Sequence, residues 1–316
     1  MRQVWIDTDM GFDDIVAIAM VADAADVAIA GLSLVAGNAP LERVTRNASD
    51  AAGFFGWTMP IHPGRDRPLV GALMTAAYAL GDSGMPSTGR RFPEADTALS
   101  AEPALPALAR YLESGGGDIL TLGPLTNIAA LLAARPDLAP RIGRLVWMGG
   151  SAGPGNHTAT AEFNAAVDPE AIQLVIDAGV RIAMVGLDAC RPVQVSVADA
   201  DRLRAVGGDK AAVLGDLLDG YARIIQPDGS APHTLYDPVA AAAYLEPETV
   251  AFRPARLDAE LSGRLTRGMT VVEWRVPRKA PANADIATVP DVERIRALVL
   301  GALDRAASSA QPRLPS

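Results

Sequence analysis

Four carboxylates fall within eight residues near the start of the chain: Asp7, Asp9, Asp13 and Asp14. Just before them, Val4, Trp5 and Ile6 form a short apolar run that reads as a buried strand. Just after them, Ile15, Ile18, Ala19 and Ala22 recur at helical spacing, so the acids occupy a strand-to-helix turn. Asp13 or Asp14 suits the helix start, where a carboxylate caps backbone N–H groups and meets the positive end of the helix dipole. Capping accounts for one or two acids, not four. So many negative charges beside a buried strand repel one another unless a cation lies among them. Hard oxygen donors on a short turn suit Ca²⁺ or Mg²⁺.

Other polar residues sit where strands are expected to end. Strands are read over 27–34, 118–122, 144–148 and 181–185. Asn38 follows the first of these, and Thr126 follows the strand at 118–122. Asn156, Glu162 and Asn164 follow the strand at 144–148. Tyr236 and Asp237 open an Ala-rich helix. Strands alternating with helices predict an α/β fold: one domain with a mostly parallel, doubly wound, Rossmann-like sheet. Such sheets bind ligands outside the carboxyl ends of their strands, so these segments can converge on one pocket. Carboxylates and carboxamides with few cations do not suit phosphate. They suit sugar hydroxyls, to which Asp, Glu and Asn offer donors and acceptors. A cation beside a carboxylate activates water, and surrounding acids stabilise an oxocarbenium-like transition state. Taken alone, this chemistry is metal-assisted hydrolysis at a sugar carbon.

The remaining pattern supplies the scaffold. Helices are expected over 40–55, 103–113, 128–134 and 292–306. Residues 71–100, broken by Gly and Pro, read as a long loop or lid with a short helix near 73–80. Residues 226–234 read as a polar loop, and 270–275 as an edge or late strand. The domain is expected over 1–307, with a disordered tail at 308–316.

With 316 residues, 49% of them apolar, the chain can bury a large core. Its formal charge is −9 and its only lysines are Lys210 and Lys279, which argues against nucleic acid and anionic membrane surfaces as partners. No apolar stretch is long enough for a membrane span, and no signal peptide is read at the start. Cys190 stands alone, so no intramolecular disulfide can form, which fits a reducing cytoplasm.

The run Asp7-Thr8-Asp9-Met10-Gly11-Phe12-Asp13-Asp14 resembles the signature of the inosine-uridine-preferring nucleoside hydrolase family. Further blocks of that family follow in order. They are Gly37-Asn38, Gly123-Pro124-Leu125-Thr126-Asn127, Met148-Gly149-Gly150, Asn156 with Glu162-Phe163-Asn164, and Asp237-Pro238. The resemblance implies Ca²⁺-dependent hydrolysis of the N-glycosidic bond of ribonucleosides, and assembly as a homodimer or homotetramer. It implies that Asp9, Asp14, Asp237 and the backbone carbonyl of Thr126 hold the ion. Asp9 would also be the base toward the attacking water, with Asn38 helping to orient that water. Asp13, Asn164 and Asp237 would bind the ribose 2′- and 3′-hydroxyls, Asn156 and Glu162 the 5′-hydroxyl, and Met148 would pack under the sugar. Asp7 would be a supporting hydrogen-bonding group behind the ligands.

Three departures stand out. Met10 replaces a proline common in the family, read as a mild change in a tight turn. Leu80-Gly81 stands where a lid His-Gly is common. Tyr236 replaces the histidine that often precedes the last metal aspartate and protonates the leaving base. Purine-specific relatives carry an aromatic residue there, so Tyr236 could stack on a purine. Tyr221, His233 and Trp57 are further base contacts to consider, with His233 read foremost as a solvated loop residue. His157 could approach the 5′ end. Alternatives are a non-catalytic ribose or nucleoside binder, a hydrolase of an atypical N-riboside, and a phosphatase of the haloacid dehalogenase type. The last also begins strand-Asp-x-Asp but needs Gly-Thr next, where Met10 and Gly11 stand here.

Overall fold

Alternating apolar residues on the strands set the layering. In the computed structural model, which describes residues 1–275 and 281–309, β1 (Arg2–Thr8) places Val4 and Ile6 in one buried cluster and Trp5 in another. Burial on both faces is the pattern of a parallel sheet covered by helices. The chain continues through α1 (Phe12–Ala22), β2 (Val27–Leu34), α2 (Leu41–Phe55), β3 (Ile61–Pro63), α3 (Ala77–Leu80), α4 (Ala104–Glu113) and β4 (Asp118–Thr121). Next come α5 (Thr126–Ala134), β5 (Arg144–Met148), α6 (Phe163–Val167), α7 (Pro169–Asp177), β6 (Ile182–Val185) and α8 (Leu187–Cys190). Then follow β7 (Gln194–Val195), α9 (Val197–Arg204), α10 (Gly208–Ala222), β8 (His233–Thr234) and α11 (Asp237–Leu245). The chain closes with β9 (Val250–Ala259), β10 (Thr270–Glu273), β11 (Ala284–Pro290) and α12 (Val292–Ser308).

The large sheet has the order β10-β9-β11-β6-β5-β4-β1-β2-β3. All its strands are parallel except β9, which runs against β10 and β11. Ile15 and Ile18 of α1 join Val4, Ile6, Leu120 and Val146 under α11 and α12. On the opposite face Trp5, Ile119, Leu145 and Ile182 pack with α4, α5 and α7. The order reverses at β1, whose neighbours are β2 and β4. A doubly wound sheet opens a crevice at that reversal, on the carboxyl side. The acidic turn leaves β1 at this point.

One helix links the two ends of the sheet. α11 begins at Asp237, and its last carbonyls are held by two arginines. Arg144 donates to the carbonyls of Ala243 (2.7 Å) and Tyr244 (3.2 Å), and Arg2 to those of Tyr244 (3.4 Å) and Leu245 (3.3 Å). Both guanidinium groups also lie over the Tyr244 ring, at 5.4 and 5.3 Å from its centre.

Several expectations need correction. β9 and β11 have no counterpart among the expected strands. β9 carries Arg253, Pro254 and Arg256, which mask its alternation; Pro254 is tolerated because β9 pairs antiparallel near the sheet edge. Residues 226–234 are not only loop, since His233 and Thr234 pair with Gln194 and Val195. α5 starts at Thr126 rather than 128. The expected tail is ordered at its start: α12 runs to Ser308, and Lys210 donates to the Ser309 hydroxyl at 2.8 Å. Residues 310–316, and Lys279, lie outside the described residues. Among the described residues no helix is long and apolar enough to cross a membrane.

Candidate active site

The acidic turn is tied from within. Asp14, in the first turn of α1, accepts from the Thr8 hydroxyl (2.6 Å), the Gly11 N–H (2.9 Å) and the Asp9 N–H (3.2 Å). It is therefore Asp14, not Asp13, that closes the helix start. Met10 takes φ of 52°, the left-handed region, and among the described residues no other non-glycine does so. Its N–H donates to the Thr8 hydroxyl (3.1 Å), and its carbonyl accepts from Asn47 (3.3 Å). Proline is fixed near φ of about −65° and has no N–H. The change from proline to Met10 is thus not mild in this backbone.

Asp9 is held by Asn38 through two bonds, one from its backbone N–H (2.6 Å) and one from its amide (3.0 Å). The approach is close because residue 37 is glycine: a Cβ there would lie 2.1 Å from an Asp9 oxygen. Asp13 accepts from the Tyr221 hydroxyl at 2.9 Å. Asp13, Asp14 and Asp237 are buried, and each offers a carboxylate oxygen within 4.8 Å of the others. Asp9 lies beside this triple and interacts with Asp14. None of the four has an Arg or Lys partner among the described residues. Burial, then neighbouring carboxylates, raises Asp9 and Asp237 well above the ordinary carboxylate range and Asp13 to about 7. Burial raises Asp14 too, opposed by the Thr8 hydroxyl. Buried acids in this arrangement are disfavoured as anions unless a positive charge joins them. Only oxygen donors face one another, so the set fits a hard divalent cation.

A cavity of about 780 Å³, counting its open mouth, begins at these acids. Asp13, Asn38, Leu122, Met148, Asn164 and Asp237 line its inner end. Asn164 donates its amide to the carbonyls of Leu122 (2.8 Å) and Met148 (3.1 Å), the residues that leave β4 and end β5. Glu162 caps α6, accepting from Gly150 (2.8 Å), Asn164 (2.9 Å) and Ala165 (3.0 Å). Burial raises it to about 7, against the pull of those N–H groups. Asn156 accepts from the Phe163 N–H (3.0 Å) and lines the same side. The outer end is mostly apolar. Ala76, Tyr78, Ala79 and Leu80 come from α3 and its flank, Tyr221, Ile224 and Ile225 from the end of α10, and His233 and Tyr236 from the approach to α11.

The structure brings together Asp13, Asn38, Met148, Asn156, Glu162, Asn164, Tyr236 and Asp237, with Asp9 and Asp14 directly behind. It does not bring in Thr126. The expected donor is its backbone carbonyl, but Thr126 opens α5, where that carbonyl points along the helix, and its hydroxyl is held by Asp168 at 2.7 Å. The segment meets the cavity through Leu122 instead. Trp57 is also elsewhere, stacked on Phe55 at 4.8 Å. Asp7 lies behind the turn, accepting from Ser33 and from Asn127 (2.7 Å). His157 hydrogen-bonds Tyr78 at 3.1 Å and so ties α3 to the glycine-rich loop. His233 is not a solvated loop residue: it is 5% exposed and lines the cavity. The pairing of β7 with β8 and the rings of Tyr221 and Tyr236 bury it, and no local pattern announces a two-residue strand.

The sequence model of the family described as inosine-uridine preferring nucleoside hydrolase matches residues 4–297. The inosine-uridine preferring nucleoside hydrolase of Leishmania major is 33% identical over 310 residues, covering 96% of this chain and 98% of the relative. The non-specific ribonucleoside hydrolase RihC of Salmonella typhimurium is 37% identical over 293 residues, covering 92% and 94%. Among solved structures, an inosine-guanosine nucleoside hydrolase superposes with a TM-score of 0.86 at 25% identity, covering 98% of this chain and all of the other. A purine-preferring ribonucleoside hydrolase from Gardnerella vaginalis gives 0.88 at 24%, covering 97% and 99%, a likeness of fold.

Proposed function

From the premise that this chain belongs to the inosine-uridine preferring nucleoside hydrolase family, and so hydrolyses N-glycosidic bonds of ribonucleosides, we propose that Asp9 is the base and that Ca²⁺ sits among the carboxylates. The observation that carries this is the acidic cluster itself: buried carboxylates with no cationic side chain as partner, one of them gripped by Asn38. Asp14 and Asp237 would hold the ion, with Asp9 beside them and the Leu122 carbonyl as the main-chain oxygen this segment offers. The bound ion would supply the positive charge the cluster lacks and would acidify a water within its reach.

The chain's own groups then do the following. Asn38 fixes the Asp9 carboxylate by two bonds, so its proton-accepting oxygen is oriented before substrate arrives. Asp9 takes a proton from water as the water oxygen bonds to C1′. The C1′–N bond breaks and its electron pair leaves with the base, which takes up a proton from solvent. Asp13, Asn164 and Asp237 hold the ribose 2′- and 3′-hydroxyls. Tyr221 fixes Asp13 by its hydroxyl. Asn156 and Glu162 take the 5′-hydroxyl, and Met148 lies under the ring. The negative charge around the sugar stabilises an oxocarbenium-like carbon. Tyr236 offers an aromatic face to the base, which favours purines. A homodimer or homotetramer, measurable by light scattering, and a cytoplasmic setting complete the reading.

Ribose release from inosine and uridine tests the central role. Asp9→Ala should lower turnover about 10³-fold on both, within the range for losing a positioned base. Wild-type-like release by that variant would sink the assignment.

A further inference from the structure

Toward β1 and β4, the polar side chains of the cavity already have protein partners. Asp13 takes the Tyr221 hydroxyl, Asn38 is spent on Asp9, Asn164 on two carbonyls and Glu162 on three N–H groups. At the outer end the tyrosine hydroxyls are engaged too, that of Tyr236 with Asn156. Tyr221 reaches Asp13 and the Thr234 carbonyl (3.0 Å), and Tyr78 meets His157. His233 differs. It is 95% buried, yet neither ring nitrogen has a hydrogen-bond partner among the described residues, and neither is sealed away from the cavity it lines. Its ring is held edge-on by Tyr221 and Tyr236, with centres 5.0 and 5.9 Å away and planes at 64° and 80°. Its backbone is pinned by the pairing with Val195.

A ring nitrogen that is open to a cavity and has no protein partner is left for a ligand, and an aglycone that fills the cavity without a polar atom opposite it would leave that nitrogen unpaired. We propose that His233 is the hydrogen-bonding contact for the departing base, a specificity-determining residue at the outer end of the cavity. The aglycone it selects is an aromatic heterocycle with a polar atom in the ring plane. Leu80, Ile224 and Ile225 add only apolar surface to this part of the lining, so beside the tyrosine hydroxyls the imidazole is the polar group there with no protein partner among the described residues. Burial pushes His233 down to about 4, so it meets the base neutral, with one donor and one acceptor nitrogen. The proposal rests on the ribonucleoside-hydrolase reading of the same cavity.

The test compares inosine with 4-nitrophenyl riboside, whose leaving group has no ring nitrogen and departs as a stable phenolate. His233→Phe in the Ca²⁺-loaded enzyme should lower kcat/KM on inosine roughly tenfold to hundredfold, the range for leaving a buried polar group unpaired. The nitrophenyl substrate should lose less than about threefold, and His233→Gln should recover part of the inosine rate. Equal loss on both substrates, or loss on neither, overturns the proposal. If wild type cleaves neither substrate, the functional reading fails, and His233 is judged by the ring nitrogen signals of the chain's three histidines in nuclear magnetic resonance. A shift at His233 with free hypoxanthine but not with free ribose supports the contact. A shift with ribose, or with neither, refutes it.

Discussion

At the inner end of the cavity Asp9 and Asp14 leave β1 and Asn38 leaves β2 within a few residues, while Asn164 sits on α6 at the far end of the long loop after β5 and Asp237 opens α11. At the outer end the wall comes from a four-residue helix, the end of α10 and a two-residue strand. The inner groups are locked by hydrogen bonds to one another and to strand-end carbonyls. The outer groups are held mainly by apolar and edge-on ring contacts. Sheet-anchored groups can be placed once, for a sugar shared by every substrate. Wall residues on short elements can change with the aglycone while the sheet stays intact.

That contrast can be broken experimentally. The largest effect expected is from the ion. A chelator should abolish turnover on every riboside alike, and Ca²⁺ should restore it; loss on only some substrates would mean that the inner end is not common machinery. The same ion should change the response of stability to pH. Asp7, Asp13 and Glu162 are each pushed up to about 7 by burial, above an unfolded value near 4. Between those values the native chain binds more protons than the unfolded chain, so the ion-free protein loses stability as pH rises through that window. Thermal unfolding in chelator should show Tm falling from pH 5 to pH 7.5. Ca²⁺ should raise Tm more at pH 7.5 than at pH 5; a flat profile would remove the case for buried, proton-holding acids.

Tyr236→Leu should be smaller and selective. Losing one aromatic–base stack costs about 1–3 kcal/mol in other systems, so purine ribosides should slow by about tenfold or more and 4-nitrophenyl riboside much less. Equal slowing of both would move Tyr236 to the inner machinery. Tyr221→Phe should be smallest, about fivefold, from one hydrogen bond lost at Asp13. Because it acts through the sugar end, its loss should match across inosine and the nitrophenyl substrate. A loss confined to inosine would show that Tyr221 serves the base instead.

The same contrast explains what could be read in the chain. Asp9, Asp14 and Asn38 are legible because a short apolar run ends and unusual polar residues follow within a few positions; Asn164, beyond a long loop after β5, is legible only through its block with Glu162 and Phe163. Thr126 shows the limit of that rule: it follows β4, but the cavity is reached earlier, at Leu122, and the helix turns Thr126 toward Asp168. His233 gave no local signal. Its burial comes from Val195, Tyr221 and Tyr236, distant in sequence and joined only by the fold. β9 was hidden by its own Pro254 and arginines, which suit an antiparallel strand near an edge but break the alternation. Met10 looked like an ordinary turn residue, and only its positive φ shows how tightly the turn is wound.

The arginine pair under α11 gives the centre a mechanical footing. The helix has nine residues, about 13 Å of stiff rod at 1.5 Å per residue. Arg2 and Arg144 clamp its foot against the amino ends of β1 and β5, and its head carries Asp237. It therefore works as a strut between the floor of the sheet and the acids at the top. Loosening the clamp would let the rod slide or rock, and the Asp237 carboxylate would leave its station while the rest of the centre stayed in place.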